Sequence, residues 1–314
     1  MIPAVILAAG GGSRLGETGR RVPKALLPVG DGTLLEMHLR SFLSAGTRKF
    51  VIVTDPSDPR PAAEAARALY GTGAVLREAR QAERRGIGHA ASLAEPFLGG
   101  GPFALVLGDT YYSGADFGPA CAAMAAGGAD AFLSVREVGD EAEIRKECTI
   151  ELAPDGRVAR IIEKPERALS MTKPCGVYFF GPRFMPALKA TPASALRGEI
   201  ELTDAIQGLI SAGGVVRTME TMRLDVNVTR PADVIKANRA WLAERGLASY
   251  AHPSAETGEG AALENSVAAA GSRIGARARL KDCVVFPGAS VPAGTSLYGA
   301  LVLEDLVVQA EDAP

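Results

Sequence analysis

VILAAGGGSRLGETGRRVPKALLPVG, residues 5–30, joins an apolar segment directly to a glycine-rich loop that carries cationic side chains. Three glycines, at positions 10–12, follow the apolar segment, and Arg14 and Lys24 stand ten positions apart behind them. A loop that leaves a parallel strand at its carboxyl end can point successive backbone N–H groups at a phosphate. The stretch therefore predicts an α/β sheet with an anion site at the end of its first strand.

The segment up to about residue 110 alternates between apolar runs and stretches with helical spacing. The apolar runs occupy residues 3–8, 49–54, 73–77 and 103–108. This alternation is typical of βαβ units and predicts a parallel sheet. Thr33 and Glu36 form a predicted capping box at the start of the first crossover helix. Gly46 is the predicted cap at the end of that helix.

Between about residues 130 and 180 the predicted strands follow one another closely. Their sequences are DAFLSV, TIEL, RVARIIE and PCGVYFF, separated by turn residues such as the Pro-Asp-Gly at 154–156. Short spacing of this kind predicts antiparallel additions to the sheet. Helices are predicted again at about 202–213 and 231–245.

The last part of the chain has a different character. Residues 248–262 are small, polar and glycine-containing, which predicts a linker after a first domain of residues 1–247. In residues 263–314 apolar side chains recur at six-residue steps, with one slip; they are Ile274, Leu280, Val291, Leu297 and Leu303. This period predicts a short, hexapeptide-repeat-like left-handed β-helix. A plain β-rich appendage stays open as the alternative.

Composition excludes several classes of protein. The 314 residues carry a formal net charge of -2, so the basic excess typical of nucleic-acid binding is missing. Four separated cysteines without a C-x-x-C pair argue against a zinc knuckle and a disulfide framework. No stretch reaches the roughly 18 apolar residues of a membrane span, and the apolar start lacks a basic flank. We expect a cytoplasmic protein without nucleic-acid or membrane partners.

Two familiar phosphate motifs do not fit the glycine loop. The P-loop pattern G-x-x-x-x-G-K-[ST] is absent. Gly10 and Gly12 match the first two glycines of a dinucleotide fingerprint, but Leu15 stands at the third. A nicotinamide-dependent oxidoreductase is therefore disfavoured.

The loop resembles another signature. LAAGGGSRL followed by PKALLPV is similar to the L-x-x-G-x-G-T-R-L … P-K pattern of the sugar-1-phosphate nucleotidyltransferases. Further segments resemble that family in the same order; they are QAERRGIGHAASLAEPFL, FALVLGD, IIEKP, CGVYFF, RGEIELTDAI and LDVNVTRPADVIKANRAWL. With the trailing repeat, the resemblance is greatest to the long form of glucose-1-phosphate thymidylyltransferases.

The resemblance implies a Rossmann-like mixed sheet and a set of site residues. Three cations would serve catalysis, namely Arg14, Lys24 and Lys164. Two aspartates would bind Mg²⁺, namely Asp109 and Asp225. The nucleotide side would be Ala9, Gly10, Gly12, Gln81 and Gly86, with Gln81 reading the base. The sugar side would be Glu163, Gly176 and Arg197.

The implied reaction joins a nucleoside triphosphate and a sugar 1-phosphate to give a nucleotide sugar and pyrophosphate. The attacking phosphate monoester has a second pKa of about 6, so it is anionic at neutral pH and needs no general base. This agrees with a site rich in Lys, Arg and Asp and without a catalytic His. The resemblance favours dTTP with glucose 1-phosphate; GTP with mannose 1-phosphate, or a cyclitol or heptose phosphate, stays open.

The sequence departs from the family pattern around the second aspartate, which leaves alternatives. The usual W-x-D-x-G-T-P is replaced by RLDVNVTRP at 223–231, where Asn227 could add an oxygen to the metal site. A non-catalytic, nucleotide-sugar-binding regulatory subunit is one alternative, disfavoured by the intact acids and lysines. An acyltransferase using the tail is another, but residues 263–314 contain no His. The exposed edges of a short β-helix favour a homo-oligomer.

Overall fold

The computed structural model describes residues 1–194 and 198–310, which fold into two compact units. The first, here called the sheet unit, consists of Met1–Ala9, His38–Gly108 and Gly114–Leu224. The second, here called the loop–tail unit, consists of Gly10–Met37, Asp109–Ser113 and Asp225–Pro314. Each unit therefore combines segments that are distant in sequence. The division of the chain at residues 247 and 262 stays a prediction.

The helices are short and several carry the end signals that the sequence predicts. In chain order they are α1 (Glu17–Arg21), α2 (Leu34–Ser44), α3 (Arg60–Leu69), α4 (Ile87–Ser92), α5 (Gly118–Ala125), α6 (Glu141–Lys146), α7 (Phe184–Ala190), α8 (Leu202–Ser211) and α9 (Pro231–Glu244). The capping box of α2 is confirmed. The Thr33 N–H donates to the Glu36 carboxylate at 2.9 Å, and the Glu36 N–H donates to Thr33 Oγ1 at 3.2 Å.

No described helix has both the length and the apolar character that crossing a lipid bilayer requires.

The strands before the tail form one large sheet and three small pairs. They are β1 (Ala4–Leu7), β2 (Pro28–Val29), β3 (Gly32–Thr33), β4 (Lys49–Thr54), β5 (Val75–Arg80), β6 (Phe103–Leu107), β7 (Thr110–Ser113), β8 (Ala131–Glu137), β9 (Cys148–Leu152), β10 (Val158–Glu163), β11 (Thr172–Phe180), β12 (Val216–Met219) and β13 (Leu224–Asn227). The order in the large sheet is β12-β8-β11-β6-β1-β4-β5. The small pairs are β2 with β3, β7 with β13, and β9 with β10.

The large sheet is mixed, with a parallel centre. Strand β1 is parallel to β4 and β6, and β4 is parallel to β5, while β11 runs antiparallel to β6 and β8. Ala4, Val5 and Ile6 of β1 are buried, as expected for a parallel strand covered on both faces. The predicted Rossmann-like α/β fold is confirmed.

One prediction about the sheet is wrong. Strands β9 and β10 were expected to extend the sheet, but they form a separate antiparallel pair. The edge beside β8 is taken by β12, which pairs with β8 in parallel. Ile150, Val158 and Ile161 instead bury their side chains in the hydrophobic core of the sheet unit.

The tail is built from short strands in three small sheets. The strands are β14 (Tyr250–Ala251), β15 (Glu256–Thr257), β16 (Ala262–Glu264), β17 (Val267–Ala268), β18 (Arg273–Ile274), β19 (Arg279–Lys281), β20 (Val284–Val285), β21 (Ser290–Val291), β22 (Ser296–Tyr298), β23 (Ala300–Val302) and β24 (Val307–Gln309). The sheets are β14-β17-β20-β23-β24, β15-β18-β21 and β16-β19-β22. All neighbours pair in parallel except β23 with β24. This arrangement fits a β-helix-like tail; its left-handedness stays a prediction.

The coil length explains the slip in the six-residue period. Equivalent positions of successive coils are 17 residues apart, as for Ser266 and Cys283, whose N–H donates to the Ser266 hydroxyl. One side of each coil is therefore a residue shorter than six. The short corner is turned by a left-handed residue, Asn265 (φ 48°) in one coil and Asp282 (φ 51°) in the next. The segment predicted as a linker already contains β14 and β15, which belong to the first coil.

Candidate active site

The glycine loop packs its backbone along the side chain of Lys24, within the loop–tail unit. A Cβ atom placed on Gly10 would lie 3.8 Å from Lys24 Cδ, and one on Gly12 would lie 3.5 Å from Lys24 Cγ. Gly12 is left-handed (φ 60°) and precedes a 3-10 turn at Ser13–Leu15. That turn carries the exposed Arg14. The loop backbone therefore lies against the aliphatic part of the Lys24 side chain; its role in binding a phosphate stays a prediction.

Lys24 and Asp109 form an ion pair, although they are 85 positions apart. Lys24 Nζ lies 2.8 Å from Asp109 Oδ2, and the side chains are 11% and 29% exposed. Asp109 follows β6 and precedes β7. Its carbonyl oxygen accepts a hydrogen bond of 2.9 Å from the N–H of Val228, which follows β13. The structure thus brings two of the predicted residues into direct contact.

Asp225 lies on β13, the partner strand of β7, and is buried with 4% of its surface exposed. On the same strand, Asn227 Oδ1 is buried and has no hydrogen-bond partner among the described residues. The residues that the structure describes contain no group of three or more His, Cys, Asp or Glu side chains that could hold a metal ion. Asp225 and Asn227 are two positions apart on β13, and carboxylate and amide oxygens are hard donors of the kind that Mg²⁺ binds.

Helix α9 supports both segments that carry this ion pair. Asn238 accepts the N–H of Gly30 at 2.9 Å and donates to the carbonyl oxygen of Pro28 at 2.9 Å. Glu244 accepts hydrogen bonds from Tyr111 (2.7 Å) and Ser113 (3.0 Å) on β7. Burial, with the Glu244 carboxylate as the second cause, raises the pKa of the Tyr111 hydroxyl, which therefore stays a donor. The same helix also packs against β20 and β23 of the tail.

The residues predicted to read the base meet in the sheet unit. Gln81 Nε2 lies 3.2 Å from the carbonyl oxygen of Gly86. Gly86 has φ 99°, and a Cβ atom there would lie 2.7 Å from the carbonyl oxygen of Ile200, so the position requires glycine. The Ile200 carbonyl also accepts the Gly88 N–H at 2.8 Å, and the Ile200 N–H donates to the Arg85 carbonyl at 2.8 Å. The loop between β5 and α4 is thus hydrogen-bonded to the segment after Gly198; Arg197 itself lies outside the described residues.

The predicted Glu163-Lys164 pair ends strand β10, also in the sheet unit. Glu163 is the register partner of Cys148 on β9. Lys164 has a left-handed backbone, φ 43°, and its N–H donates to the carbonyl oxygen of Glu147 at 2.6 Å. A non-glycine residue in this conformation is held by its surroundings. Glu147 therefore fixes the direction in which the backbone presents Lys164.

A partly buried charge network, with one fully buried lysine, includes Glu147. Lys173, only 1% exposed, has its ammonium 2.9 Å from Glu143 Oε1 and 3.1 Å from Glu147 Oε2. Arg136 also pairs with Glu143. Burial is the main cause of a raised pKa for the nearby Cys148 thiol, with the carboxylates of Glu163 and Glu147 adding to it. That thiol is therefore neutral and not a nucleophile.

Other predicted residues take ordinary places in the fold. Ala9 is buried and is the last residue of the first segment of the sheet unit. Gly176 has φ 74° and lies where the register of β11 with β8 shifts, between Pro174 and Tyr178. Its conformation shapes the β-bulge of the strand.

The family model described as nucleotidyl transferase matches residues 3–241, about three quarters of the chain. The chain belongs to the sugar-1-phosphate nucleotidyltransferase family. It is 29% identical to a glucose-1-phosphate thymidylyltransferase of Streptomyces antibioticus, over 99% of this chain and 88% of the relative. It is 33% identical to one from an Actinoplanes species, over 68% of this chain and 69% of the relative.

The fold is also similar to that of solved structures. A UDP-glucose pyrophosphorylase complexed with UDP-glucose superposes with a TM-score of 0.68 and covers 78% of this chain and all of that one. At 23% sequence identity the likeness concerns the fold alone.

Several residues that contact the predicted site residues or their neighbours are not indicated by the sequence motifs. Lys173 is the one charge in the strand TKPCGVYFF, a pattern that could have indicated a buried ion pair. Asn238 shares the buried face of α9 with Val234 and Trp241 at helical spacing, which could have indicated a structural hydrogen bond. Neither Glu147 nor His89 carries a comparable signal.

Proposed function

We propose that the chain transfers a thymidylyl group from dTTP to glucose 1-phosphate, giving dTDP-glucose and pyrophosphate. The observation that carries the proposal is the Lys24 ammonium at 2.8 Å from the Asp109 carboxylate, with the glycine loop packed along the lysine stem. Such a site combines a fixed cation, an oxygen ligand for a metal and backbone donors. The substrate pair is taken from the names of the Streptomyces and Actinoplanes relatives.

The proposed step is an in-line displacement at the α-phosphorus. An anionic oxygen of the sugar phosphate forms the new bond to the α-phosphorus, while the bond from that phosphorus to the bridging oxygen of the β-phosphate breaks. Pyrophosphate leaves with the electron pair. No proton has to be removed from the nucleophile, because a phosphate monoester is already ionised at pH 7. Catalysis then depends on positioning and on neutralising charge.

Different cations would neutralise the charges of the two substrates. Lys24 and Arg14 would hold the departing pyrophosphate, and Lys164 would neutralise the sugar phosphate. The left-handed backbone of Lys164 and its hydrogen bond to Glu147 support a fixed position for that side chain. Glu163, Gly176 and Arg197 would bind the sugar, while Gln81, Gly86, Ala9, Gly10 and Gly12 would bind the nucleotide.

Mg²⁺ is the proposed cofactor. Asp109 and Asp225 would hold it, with the unpartnered oxygen of Asn227 as a third protein donor. When bound, such an ion neutralises phosphate oxygens as a Lewis acid. Asp109 would then exchange its contact with Lys24 for the ion, which frees the ammonium for a phosphate.

A substrate matrix tests the proposal. Five triphosphates (dTTP, UTP, GTP, ATP and CTP) are each combined with glucose 1-phosphate and mannose 1-phosphate in the presence of Mg²⁺, and pyrophosphate is measured. We expect the highest kcat/KM for dTTP with glucose 1-phosphate, and loss of turnover with EDTA. Lys164→Met should raise the KM for the sugar phosphate, whereas Lys189→Met, a surface pair with Glu95, should not. Absence of pyrophosphate in every combination would refute catalysis and favour a nucleotide-sugar-binding regulatory subunit.

A further inference from the structure

The amide of Gln81 has two partners inside the sheet unit. Gln81 is 6% exposed, directly follows β5, and its backbone N–H donates to the Thr54 carbonyl at 2.8 Å. Its side-chain Nε2 lies 3.2 Å from the Gly86 carbonyl oxygen and 3.3 Å from Nδ1 of His89. His89 lies on α4, whose first turn begins after Gly86. Both the backbone and the amide of Gln81 are therefore fixed.

Elementary hydrogen-bond chemistry decides the direction of each contact. A carbonyl oxygen can only accept, so the amide atom that faces Gly86 is the nitrogen. An amide nitrogen has two hydrogens and no available lone pair, so His89 Nδ1 must accept the second one. In this arrangement Nδ1 of His89 is the acceptor and Nε2 carries the ring hydrogen. Both hydrogens of Gln81 are used, and Oε1 is left to face a ligand.

We propose that His89 is a positioning residue that makes Gln81 present an acceptor, so that the site selects a nucleobase with an imino N–H. The inference rests on the proposed function only in taking Gln81 as the base reader. Thymine and uracil carry a hydrogen on N3, and guanine carries one on N1. Cytosine N3 and adenine N1 carry a lone pair at the equivalent position, which would face Oε1 as acceptor against acceptor.

The role of His89 differs from that of Gly86. The Gly86 carbonyl oxygen accepts one hydrogen of the Gln81 amide nitrogen, and this hydrogen bond should persist in a variant at position 89. Without His89 the second hydrogen of the Gln81 amide nitrogen has lost its acceptor in the protein. A small rotation of the amide group would then let this hydrogen donate to a base that lacks the imino hydrogen. The discrimination between the two kinds of base should then weaken while the site stays formed.

Binding of dUTP and dCTP, which differ only at N3 and C4 of one ring, tests the proposal directly. Affinities are measured by calorimetry for wild type, His89→Leu and His89→Asn, with His252→Leu in the tail as the matched control. We expect wild type to prefer dUTP, and His89→Leu to reduce that preference about tenfold, the loss of one well-placed hydrogen bond. His89→Asn, which offers an acceptor oxygen, should restore most of it. His252→Leu should leave it unchanged.

Two further measurements make the result decisive. N3-methyl-dUTP, which lacks the hydrogen, should bind wild type as poorly as dCTP does, and this holds even if the Leu variant fails to fold. In turnover assays the Leu variant should change the KM ratio of the two triphosphates and leave kcat with dTTP nearly unchanged.

The outcomes separate this proposal from the proposed function. Equal wild-type affinity for dUTP and dCTP, no affinity for either, or an unchanged preference in His89→Leu would overturn the role of His89. A chain that prefers dUTP in the predicted way, yet releases no pyrophosphate with any sugar phosphate, would support His89 and overturn the proposed function.

Discussion

Two lysines proposed for the site are held by different kinds of chemistry. Lys24 pairs with a single carboxylate, that of Asp109, and the segment that follows it is supported by neutral hydrogen bonds of the Asn238 amide to Gly30 and Pro28. Lys164 is hydrogen-bonded to the backbone of Glu147, whose carboxylate belongs to a partly buried network of charges around the buried Lys173. A neutral hydrogen bond contributes about 0.5–1.5 kcal/mol to stability, whereas a hydrogen bond to a charged group contributes about 1.5–3 kcal/mol. The comparison therefore predicts where a substitution acts on stability and where it acts on activity.

Lys173→Met should give the largest effect on stability, by removing the buried cation from the network. Glu143 and Glu147 would each lose a charge-assisted hydrogen bond, worth about 1.5–3 kcal/mol when well buried. Because both carboxylates are partly exposed, we expect a loss of about 3 kcal/mol in the free energy of unfolding. Urea denaturation measures it. Lys189→Met, which removes an exposed partner of Glu95, should change stability by less than about 1 kcal/mol. Equal losses of stability in Lys173→Met and Lys189→Met would mean that the burial of the Lys173 ammonium adds nothing to the strength of its ion pairs.

Asp109→Asn should come second and act on activity instead. Losing one preorganised charge contact typically removes about 2.7–4 kcal/mol of transition-state stabilisation, so we expect kcat to fall about 100- to 1000-fold. The melting temperature should fall only slightly, because the amide oxygen of Asn can still accept a hydrogen bond from the Lys24 ammonium. Asp155→Asn, in the exposed turn between β9 and β10, is the matched control. Full activity of Asp109→Asn would contradict the metal and phosphate roles.

Sequence reasoning worked best where the determining interactions are local. The apolar runs, the Thr33–Glu36 capping box and the glycine loop depend on neighbours a few positions away, and the structure agrees with them. It failed where a partner is remote. The placement of β9 and β10 depends on β12 occupying the sheet edge, which no local pattern encodes.

The tail shows the same limit in another form. Composition alone made residues 248–262 resemble a linker, because a coil of this tail has only short sides and needs few apolar residues. The pairing with the next coil, at a distance of 17 residues, supplies the missing signal. The candidate site shows the same limit: Asp109 stands out in the sequence at the end of a strand, but the contacts of Lys173, Asn238 and His89 are visible only once their partners are known.

Asn238→Leu tests the neutral side of the comparison and should have an intermediate effect. The change leaves the Gly30 N–H and the Pro28 carbonyl without their partner, each a buried loss of about 1–3 kcal/mol before relaxation. We expect a total destabilisation of about 2 kcal/mol and a modest fall in kcat, because the segment after Lys24 loosens. Lys236→Leu on the exposed side of α9 is the control for helix propensity. A loss as large as that of Lys173→Met would show that neutral support is not the weaker kind.

Asp55 offers a third kind of support, an exposed charge pair, and should give the smallest effect. Its carboxylate accepts hydrogen bonds from the Ser57 hydroxyl at 2.6 Å and from Arg84, in the loop between β5 and α4, at 2.8 Å. The Ser57 hydroxyl, followed by Arg84, lowers the pKa of Asp55 from 3.8 to about 2.

A carboxyl group whose pKa is lower in the folded state stabilises the fold above its unfolded pKa and loses that contribution as the pH falls through the folded pKa. The stability difference between wild type and Asp55→Asn should thus be constant above about pH 4 and shrink toward zero near pH 2. Because solvent screens this pair, the difference at neutral pH should stay below about 1 kcal/mol. Thermal melts of both proteins at pH 7, 4, 3 and 2 measure it. A difference that stays constant down to pH 2 would mean that packing of the loop, and not the ionised carboxylate, stabilises this region.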